Sequence, residues 1–173
     1  RIQGRQIAAL LPRGGAVLYV EGPAHHAAAP ARRRGVDSEI RDRDIRLDKT
    51  LVGDWSEASA EKALKSWFRL KTSETVHIDL IACQNDHMAM GVRKVLAADR
   101  PEWLRLPLTG CDGLPEGGQR EVQDGRLTAT VLKPPTAGAA IELVLKHERG
   151  TPIPPHLVLP PRSIPAIEEL RRR

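Results

Sequence analysis

The sequence has few aromatic residues, few cysteines and no long hydrophobic run. Aromatic residues make up only 3% of the 173 residues, so aliphatic side chains and alanine must fill the core. No apolar run approaches the roughly 18 residues that a membrane-spanning helix needs. Cys83 and Cys111 are too few for a disulfide framework or a cysteine-based metal site.

The motifs of several common enzyme classes are also missing. The chain has no G-x-S-x-G turn, no Walker phosphate loop, no H-E-x-x-H zinc motif and no G-x-G-x-x-G after a strand. The neighbouring His25 and His26 point to different sides of most backbones, and no third ligand is spaced to help them hold a metal. We therefore expect a protein that is not an enzyme and that uses neither a metal nor another cofactor.

The net charge of +5 raises the question of nucleic-acid binding. The arginines cluster in 31–35, 40–46 and 171–173, and the first two clusters contain acidic residues or lie in a predicted helix. Neither zinc-finger spacing nor an aromatic platform accompanies them. The pattern favours a solvated basic surface, and we expect no nucleic-acid binding through this chain.

Strand and helix patterns alternate along the chain. Predicted strands cover 16–20, 44–53, 76–83, 106–110 and 127–132, and helices are predicted at 1–11, 27–40, 57–70, 85–99, 115–125 and 137–148. A further strand is predicted at 156–159 in the Pro-rich tail. Helices between successive strands require a parallel sheet that is covered on both faces. We predict an α/β doubly wound fold, Rossmann- or flavodoxin-like, with strand order 2-1-3-4-5.

Three residues mark predicted helix ends. Ser56 and Asp86 are natural N-caps of the helices that follow them, and Gly125 is a C-cap signal. The predicted helix at 57–70 has an apolar face formed by Ala60, Leu64 and their neighbours at helical spacing. The predicted helix at 85–99 has an apolar stripe that runs from Met88 to Leu96.

Ligands of doubly wound sheets bind at the carboxyl ends of the strands, near the switch in strand order. The residues at these ends are the 22–32 loop, Trp55, Gln84 to Asp86, Cys111 with Asp112, and Lys133. They include cations, a carboxylate, amides and an indole ring. Such a set can bind a polyhydroxylated ligand, because its hydrogen-bonding groups match hydroxyls and the indole can stack on a sugar face.

Three segments resemble the type I periplasmic sugar-binding proteins, the ribose-binding-protein-like group whose fold is shared with LacI-type repressors. "IACQNDHMAMGVRKVL" resembles an apolar strand followed by x-N-D-x-M-A-x-G and a helix. "TGCDGLPEGGQREVQDGRLTATVLKPPTAGAAI" resembles G-x-D-G, a helix, x-x-G-x-L-x-A-T-V and x-x-P. "EGPAHHAAAPARRRGV" resembles G-P, a loop and R-x-x-G. The three motifs occur in the family's order and spacing.

The resemblance implies that the chain is only the second, C-terminal lobe of a two-lobed protein. Residues 1–136 would form that lobe, and 137–173 would carry the crossover helix, a strand and the Pro-rich tail that return to the missing first lobe. The chain begins with neither an initiator methionine nor a leader, so we expect a preceding segment. We also expect the last helix and the tail to pack on another copy of the chain or on that segment.

The resemblance also implies a set of ligand contacts. Arg32 matches the arginine that reaches sugar hydroxyls, and Trp55 matches a ring that packs on the ligand. Asn85 matches the amide of N-D, and Asp112 matches the carboxylate of G-x-D-G, which is the strongest single match.

Two site positions depart from the family pattern. Cys111 stands where some members carry an aromatic ring, and Lys133 stands where some carry glutamine. The lysine favours an acidic or phosphorylated ligand.

Simpler alternatives stay open for several of these positions. Asp112 also fits an ordinary turn, Trp55 fits the core, and Lys133 fits an exposed surface position. Arg33 and Arg34 adjoin Arg32, so the sequence leaves open which of the three enters the site. A Cys83–Cys111 disulfide is open as well, because both residues end neighbouring strands.

The function implied by the resemblance is that of an extracytoplasmic, periplasmic solute-binding protein of a bacterial ABC-type sugar importer. Such a protein binds a monosaccharide or polyol without catalysis and presents it to a membrane permease. The alternative is the ligand-binding domain of a LacI-like regulator or of a membrane sensor. The Asp-Gly after the fourth strand and the "DGRLTATV" approach to the fifth favour transport.

Overall fold

A parallel sheet organises the computed structural model, which describes residues 1–172. The helices are α1 (Ile2–Leu10), α2 (Ala28–Ile40), α3 (Glu57–Phe68), α4 (Thr72–Thr75), α5 (Asp86–Asp99), α6 (Arg120–Gln123), α7 (Thr136–Glu148) and α8 (Ile167–Leu170). The strands are β1 (Gly15–Glu21), β2 (Ile45–Val52), β3 (Leu80–Cys83), β4 (Leu108–Thr109), β5 (Thr130–Leu132) and β6 (Arg162–Ile164). A 3₁₀ helix (Pro101–Arg105) and a π-helical turn (Pro115–Gln119) complete these elements.

The strand order confirms the predicted fold class. β1 pairs in parallel with both β2 and β3, and β3 pairs in parallel with β4, giving the order 2-1-3-4. β5 lies beside β4 through two parallel bridges, Thr109–Ala129 and Asp112–Leu132. The chain is therefore an α/β doubly wound unit in which β5 extends the sheet through isolated bridges.

The core lies on both faces of the sheet because β1 is buried on both sides. Leu18 and Val20 face the cluster formed with α3 and α5. Val17 and Tyr19, which alternate with them, face the cluster formed with α1 and α2. This period-2 alternation within an almost wholly apolar strand is typical of a central parallel strand.

Helix ends follow local hydrogen-bonding rules, with one correction. Ser56 caps α3 as predicted, since its side chain accepts the Ser59 N–H, and Gly125 adopts a left-handed φ of 69° after α6. The predicted Asp86 cap of α5 is wrong. Asn85 is the N-cap instead, because its side chain accepts the Met88 N–H at 2.9 Å, which leaves the Asp86 carboxylate for other partners.

The tail contains a different strand from the predicted one. Residues 156–159 form no strand, and prolines at 154, 155, 160 and 161, which lack an amide hydrogen, flank them. β6 forms instead after these prolines and pairs antiparallel with β5. Leu170 of α8 is buried against α1 and Ala129, so the end of the tail packs on this lobe and not, as predicted, on another copy or a preceding segment.

α7 packs differently from the other long helices. It has no buried residue, and Ile141, Val144 and Leu145 are 61%, 60% and 50% exposed. Within residues 1–172, no helix is long and apolar enough to cross a membrane. The apolar side chains of α7 therefore lie on the surface of this lobe.

Two leucines allow a matched test of this packing. Leu64 of α3 is fully buried, whereas Leu145 of α7 is half exposed. We expect Leu64→Ala to lower the free energy of unfolding by about 2–5 kcal/mol through lost burial and a residual cavity. Leu145→Ala should change it by less than about 0.5 kcal/mol. Urea unfolding measures both, and equal costs would contradict the packing described for α7.

Candidate ligand-binding site

The predicted site residues meet at the carboxyl edge of the sheet. Arg32 projects from α2, Trp55 follows β2, and Asn85 lies between β3 and α5. Asp112 follows β4 and Lys133 follows β5. Because parallel strands end at the same edge, residues far apart in sequence come into contact here.

The Asp112 carboxylate is the centre of this cluster. Its Oδ1 accepts a hydrogen bond from Arg32 Nη2 at 2.8 Å and forms an ion pair with Lys133 Nζ, also at 2.8 Å. Arg32 also donates to the backbone carbonyl of Gln84. The Arg32 and Asp112 side chains are mostly buried, whereas the Lys133 side chain is 52% exposed. Charge-assisted bonds of this kind are stronger than neutral ones, particularly away from water.

The structure separates the three consecutive arginines of α2. Arg33 pairs with Glu21 at 2.5 Å and with Asp37 at 2.9 Å, beside the ring of Tyr19. Arg34 is exposed. Arg32 alone among them reaches Asp112, because the helical twist turns successive side chains by about 100°.

Trp55 lies against the cation of this cluster. The Arg32 guanidinium sits 5.1 Å from the indole centroid, within the range of a cation–π interaction. His26, which sequence reasoning left in a loop, meets the same ring edge-on at 5.5 Å. Gly22 makes room for the indole, since a Cβ there would lie 2.2 Å from a ring carbon.

Two residues of the cluster have an unusual backbone. Trp55 has a φ of 77° and Asp112 a φ of 120°, and these are the only non-glycine residues with positive φ between residues 1 and 172. Such conformations cost on the order of 1–3 kcal/mol each and concentrate at functional sites. Backbone bonds to β5 hold Asp112, whose N–H donates to the Val131 carbonyl at 3.0 Å.

Asn85 and Cys111 lie beneath the surface of the site. Asn85 is 4% exposed, and its amide donates to the Trp55 carbonyl at 2.8 Å. Cys111 is 7% exposed, and burial raises its pKa to about 11, so it remains a thiol at neutral pH. Cys83 and Cys111 are both free, so the disulfide left open by the sequence does not form.

Asp86 organises the loop that carries Asp112, a role that sequence reasoning missed. Its carboxylate accepts the Gly113 N–H at 2.8 Å and the Thr130 hydroxyl at 2.6 Å. Gly110 and Gly118 pack directly on this carboxylate, where any Cβ would lie 2.1 Å from an oxygen. Burial is the main cause that raises the pKa of Asp86. Gly110 and Gly118 were the only hint of this role in the sequence, because glycine lets the backbone pack directly against the Asp86 carboxylate.

Gln84 fixes the other side of the site, a structural role that was not predicted although Gln84 was named among the strand-end residues. It is fully buried, and its side-chain oxygen accepts the Gly22 N–H at 3.0 Å. Its side-chain nitrogen donates to the Ala29 carbonyl at 3.0 Å and to the Tyr19 hydroxyl at 3.3 Å. Gln84 therefore joins the end of β3 to the loop that leads to Arg32.

The site is open and shallow. A cavity of about 130 Å³ adjoins Asp112 and is too small for a typical ligand pocket of about 300–1,000 Å³. A larger groove of about 600 Å³ runs from Lys133 along α7, but mainly apolar side chains line it. The arrangement has the shape and polarity of one wall of a candidate binding site.

The family model described as "periplasmic binding protein domain" matches residues 1–152. The chain belongs to this family. It is 29% identical over 145 residues to the D-allose-binding periplasmic protein of Escherichia coli, a match that covers 82% of this chain and 45% of the relative. The resemblance to type I periplasmic sugar-binding proteins is thereby confirmed. The chain spans about half the length of the curated relatives it matches.

Solved structures of periplasmic binding proteins share the fold. An ABC transporter solute binding protein from Actinobacillus succinogenes 130z, with bound D-allose, matches with a TM-score of 0.81 and 20% identity, over 99% of this chain and 58% of that one. The fructose binding periplasmic domain of the hybrid two component system BT1754 matches with a TM-score of 0.81 and 23% identity, over 98% and 56%. At these identities the likeness shows the fold alone.

The burial of Asp86 leads to a test of its role. Its folded pKa is raised, so protonation favours the folded state, and this contribution is lost as pH rises through the folded pKa. The Asp86→Asn variant has no ionisable group at this position. We expect the variant's stability relative to the native chain to be highest at neutral pH and to fall as pH decreases towards about 4.

Asp79→Asn is the matched control, because the Ala16 N–H lowers the pKa of Asp79. The native chain should have a higher free energy of unfolding than this variant at neutral pH, and the difference should disappear on acidification. Urea unfolding at several pH values measures both trends. The same slope for the two variants would contradict the environment described for Asp86.

Proposed function

We propose that this chain is the ligand-binding lobe of an extracytoplasmic solute-binding protein that serves an ABC-type sugar importer. It would bind a monosaccharide or polyol without catalysis and pass it to a membrane permease. The observation that carries the proposal is the convergence of Arg32, Trp55, Asp112 and Lys133 at one sheet edge. Family membership supports it, because curated relatives of this chain bind D-allose or ribose.

The chemistry of the cluster suits hydroxyl groups. The second oxygen of the Asp112 carboxylate can accept hydrogen bonds from a sugar, while Arg32 and Lys133 can donate to its oxygens. The indole of Trp55 can pack against the apolar face of a sugar ring. Asn85 and Cys111 would shape the wall behind these groups, and their direct contact with a ligand remains a prediction.

A second lobe would complete the site. The matched relatives are about twice as long as this chain, and the cluster forms only one wall. We place residues 1–136 in the second lobe of the whole protein and assign 137–173 to the return towards the first. Binding between two lobes would shift an equilibrium between open and closed forms.

Sensing is the second candidate function. The fructose binding domain of the two component system matches this chain as well as the allose-binding importer protein does. The fold therefore does not separate import from sensing. The sequence preceding residue 1 separates these functions from repression: a signal peptide would favour a periplasmic protein, whereas a helix-turn-helix would favour a LacI-like repressor.

Asp112→Asn tests the site directly. Asn tolerates a positive φ better than most residues and keeps the side-chain shape, but it loses the charge that Arg32 and Lys133 bind. We expect an affinity loss of about tenfold for any sugar that stabilises the native chain, since charged hydrogen bonds exceed neutral ones by about 1–1.5 kcal/mol. A thermal-shift titration with pentoses, hexoses, polyols and sugar phosphates at high millimolar concentrations gives the affinity.

Asp124→Asn is the control, because Asp124 pairs with Arg126 at the end of α6 and not with the site. It should leave the affinity unchanged. Unchanged affinity in Asp112→Asn would place the site elsewhere, and the absence of any stabilising sugar would contradict the proposed function.

We also propose that the exposed face of α7 is covered by the first lobe in the whole protein, and that this chain alone self-associates through it. The face is apolar, with Ile141, Val144 and Leu145 at least half exposed. Exposed apolar side chains that adjoin in this way favour association. Sedimentation should show a mass that rises with concentration.

The double variant Ile141→Lys and Val144→Lys should be monomeric, because charges on both side chains oppose burial of that face. Glu142→Lys, which changes a charge on the same helix, should still associate. A monomeric native chain with a protected α7 in hydrogen exchange would contradict this proposal.

A further inference from the structure

Lys133 is the second cation beside the Asp112 carboxylate, which already pairs with Arg32. Both Arg32 and Lys133 form ion pairs with the same oxygen of Asp112, so the three side chains carry a net charge of about +1 at neutral pH. Arg32 also donates to the Gln84 carbonyl and lies against Trp55, which holds it within the cluster. Lys133 has neither of these further contacts. Lys133 is therefore the cation whose charge Asp112 leaves uncompensated.

The neighbouring acids do not neutralise this excess at Lys133, because the glutamates pair with other cations and neither Asp86 nor Asp54 forms an ion pair with Lys133. In the small cavity beside Asp112, three glutamates pair with other cations: Glu57 with Lys94, Glu116 with Arg120, and Glu121 with Arg126. Glu21 pairs with Arg33 on the other side. Asp86 is buried and bonded to Gly113 and Thr130. Asp54, next to Trp55, is exposed and accepts hydrogen bonds from Ser56.

This excess becomes important when the site is covered. In water a net positive charge is well solvated, but closure of a cleft removes water from it. A neutral sugar would leave one cation without a counter-charge. An anionic ligand would form an ion pair with the Lys133 ammonium, while Asp112 would stay paired with Arg32. Each of the two cations would then have its own counter-charge.

Lys133 is placed to make this exchange. Its backbone N–H is held at the end of β5 by the Asp112 carbonyl at 3.2 Å, and Pro134 and Pro135 follow. Its side chain is about half exposed, so the ammonium can leave Asp112 without disturbing a packed interior. The long, flexible stem of lysine suits such a movement better than the planar guanidinium of Arg32.

We propose that the ligand is a polyhydroxylated compound that carries an anionic group, and that Lys133 determines this specificity by binding the anion. The inference rests on the proposed sugar-binding function and names the class of sugar. A carboxylate or a phosphate satisfies the same chemistry. Arg32 and Asp112 would then bind hydroxyls, whereas Lys133 would distinguish a sugar acid or sugar phosphate from a neutral sugar.

The test compares three ligands that share one carbon skeleton: D-allose, D-allonate and D-allose 6-phosphate. Amide chemical shifts of the chain are followed during titration at low ionic strength, about 20 mM, where charge attraction is weakly screened. We expect at least one anionic ligand to bind about tenfold more tightly than D-allose, which corresponds to about one charge-assisted contact. The tighter of the two anions identifies the carboxylate or the phosphate as the preferred group.

Lys133→Gln should abolish this preference by weakening only the anionic ligands, because the amide keeps hydrogen-bonding capacity without the charge. Lys146→Gln, a matched change on the exposed part of α7, should retain it. Inorganic phosphate should bind more weakly than the sugar phosphate, since it has no hydroxyl-bearing skeleton.

Each other outcome has a distinct meaning. If D-allose binds as tightly as both anions, or if Lys133→Gln keeps the preference, the specificity inference is wrong and the sugar-binding function stands. If inorganic phosphate matches the sugar phosphate, the site attracts anions without selecting a polyol, which overturns the inference. If none of the sugars shifts the strand-end amides, both the inference and the proposed function fail.

Discussion

β1 pairs in parallel with β2 on one side and β3 on the other, and this pairing determines which loops can meet. Two parallel neighbours place the ends of all three strands at one edge, and the β4 and β5 ends join them there. The helices that connect the strands must then cover both faces. Burial of β1 on both sides is the result, and the polar cluster at its carboxyl edge depends on the same geometry.

Ion pairs hold the side chains of the cluster together, and backbone hydrogen bonds maintain its strained loop at Asp112. Asp112 pairs with both Arg32 and Lys133, while its own positive φ is maintained by backbone bonds to β5. Asp86 supports this loop from the interior, where glycines allow its carboxylate to approach the backbone. A site of this kind is largely preorganised, so little ordering is required when a ligand arrives. Its open outer side suits a partner lobe that closes over it.

The sequence allowed most of the fold to be predicted, because its signals were local or periodic. The apolar faces of α3 and α5 and the cap at Ser56 needed only neighbouring residues. The site followed from a topological rule, since residues after parallel strands share an edge. This rule placed Asp112 and Lys133 at one edge without any contact information, whereas Arg32 was matched through the family motif.

The features that were missed depend on contacts between distant residues. Asp86 looked like a helix cap, but its partner Thr130 lies 44 positions away. His26 does lie in a loop, as predicted, but only the fold brings it to Trp55. The choice among three consecutive arginines required the orientation of α2 relative to the sheet. The strand of the tail was misplaced because pairing with β5, rather than local hydrophobicity, decides where it forms.

A crystal structure of the chain soaked with a responding sugar is the most direct measurement of where the ligand binds. The strand-end site predicts ligand density between Arg32, Trp55 and Asp112, with a hydroxyl within hydrogen-bond distance of the Asp112 carboxylate. Density in the apolar groove along α7, with the strand-end cluster unchanged, would contradict it.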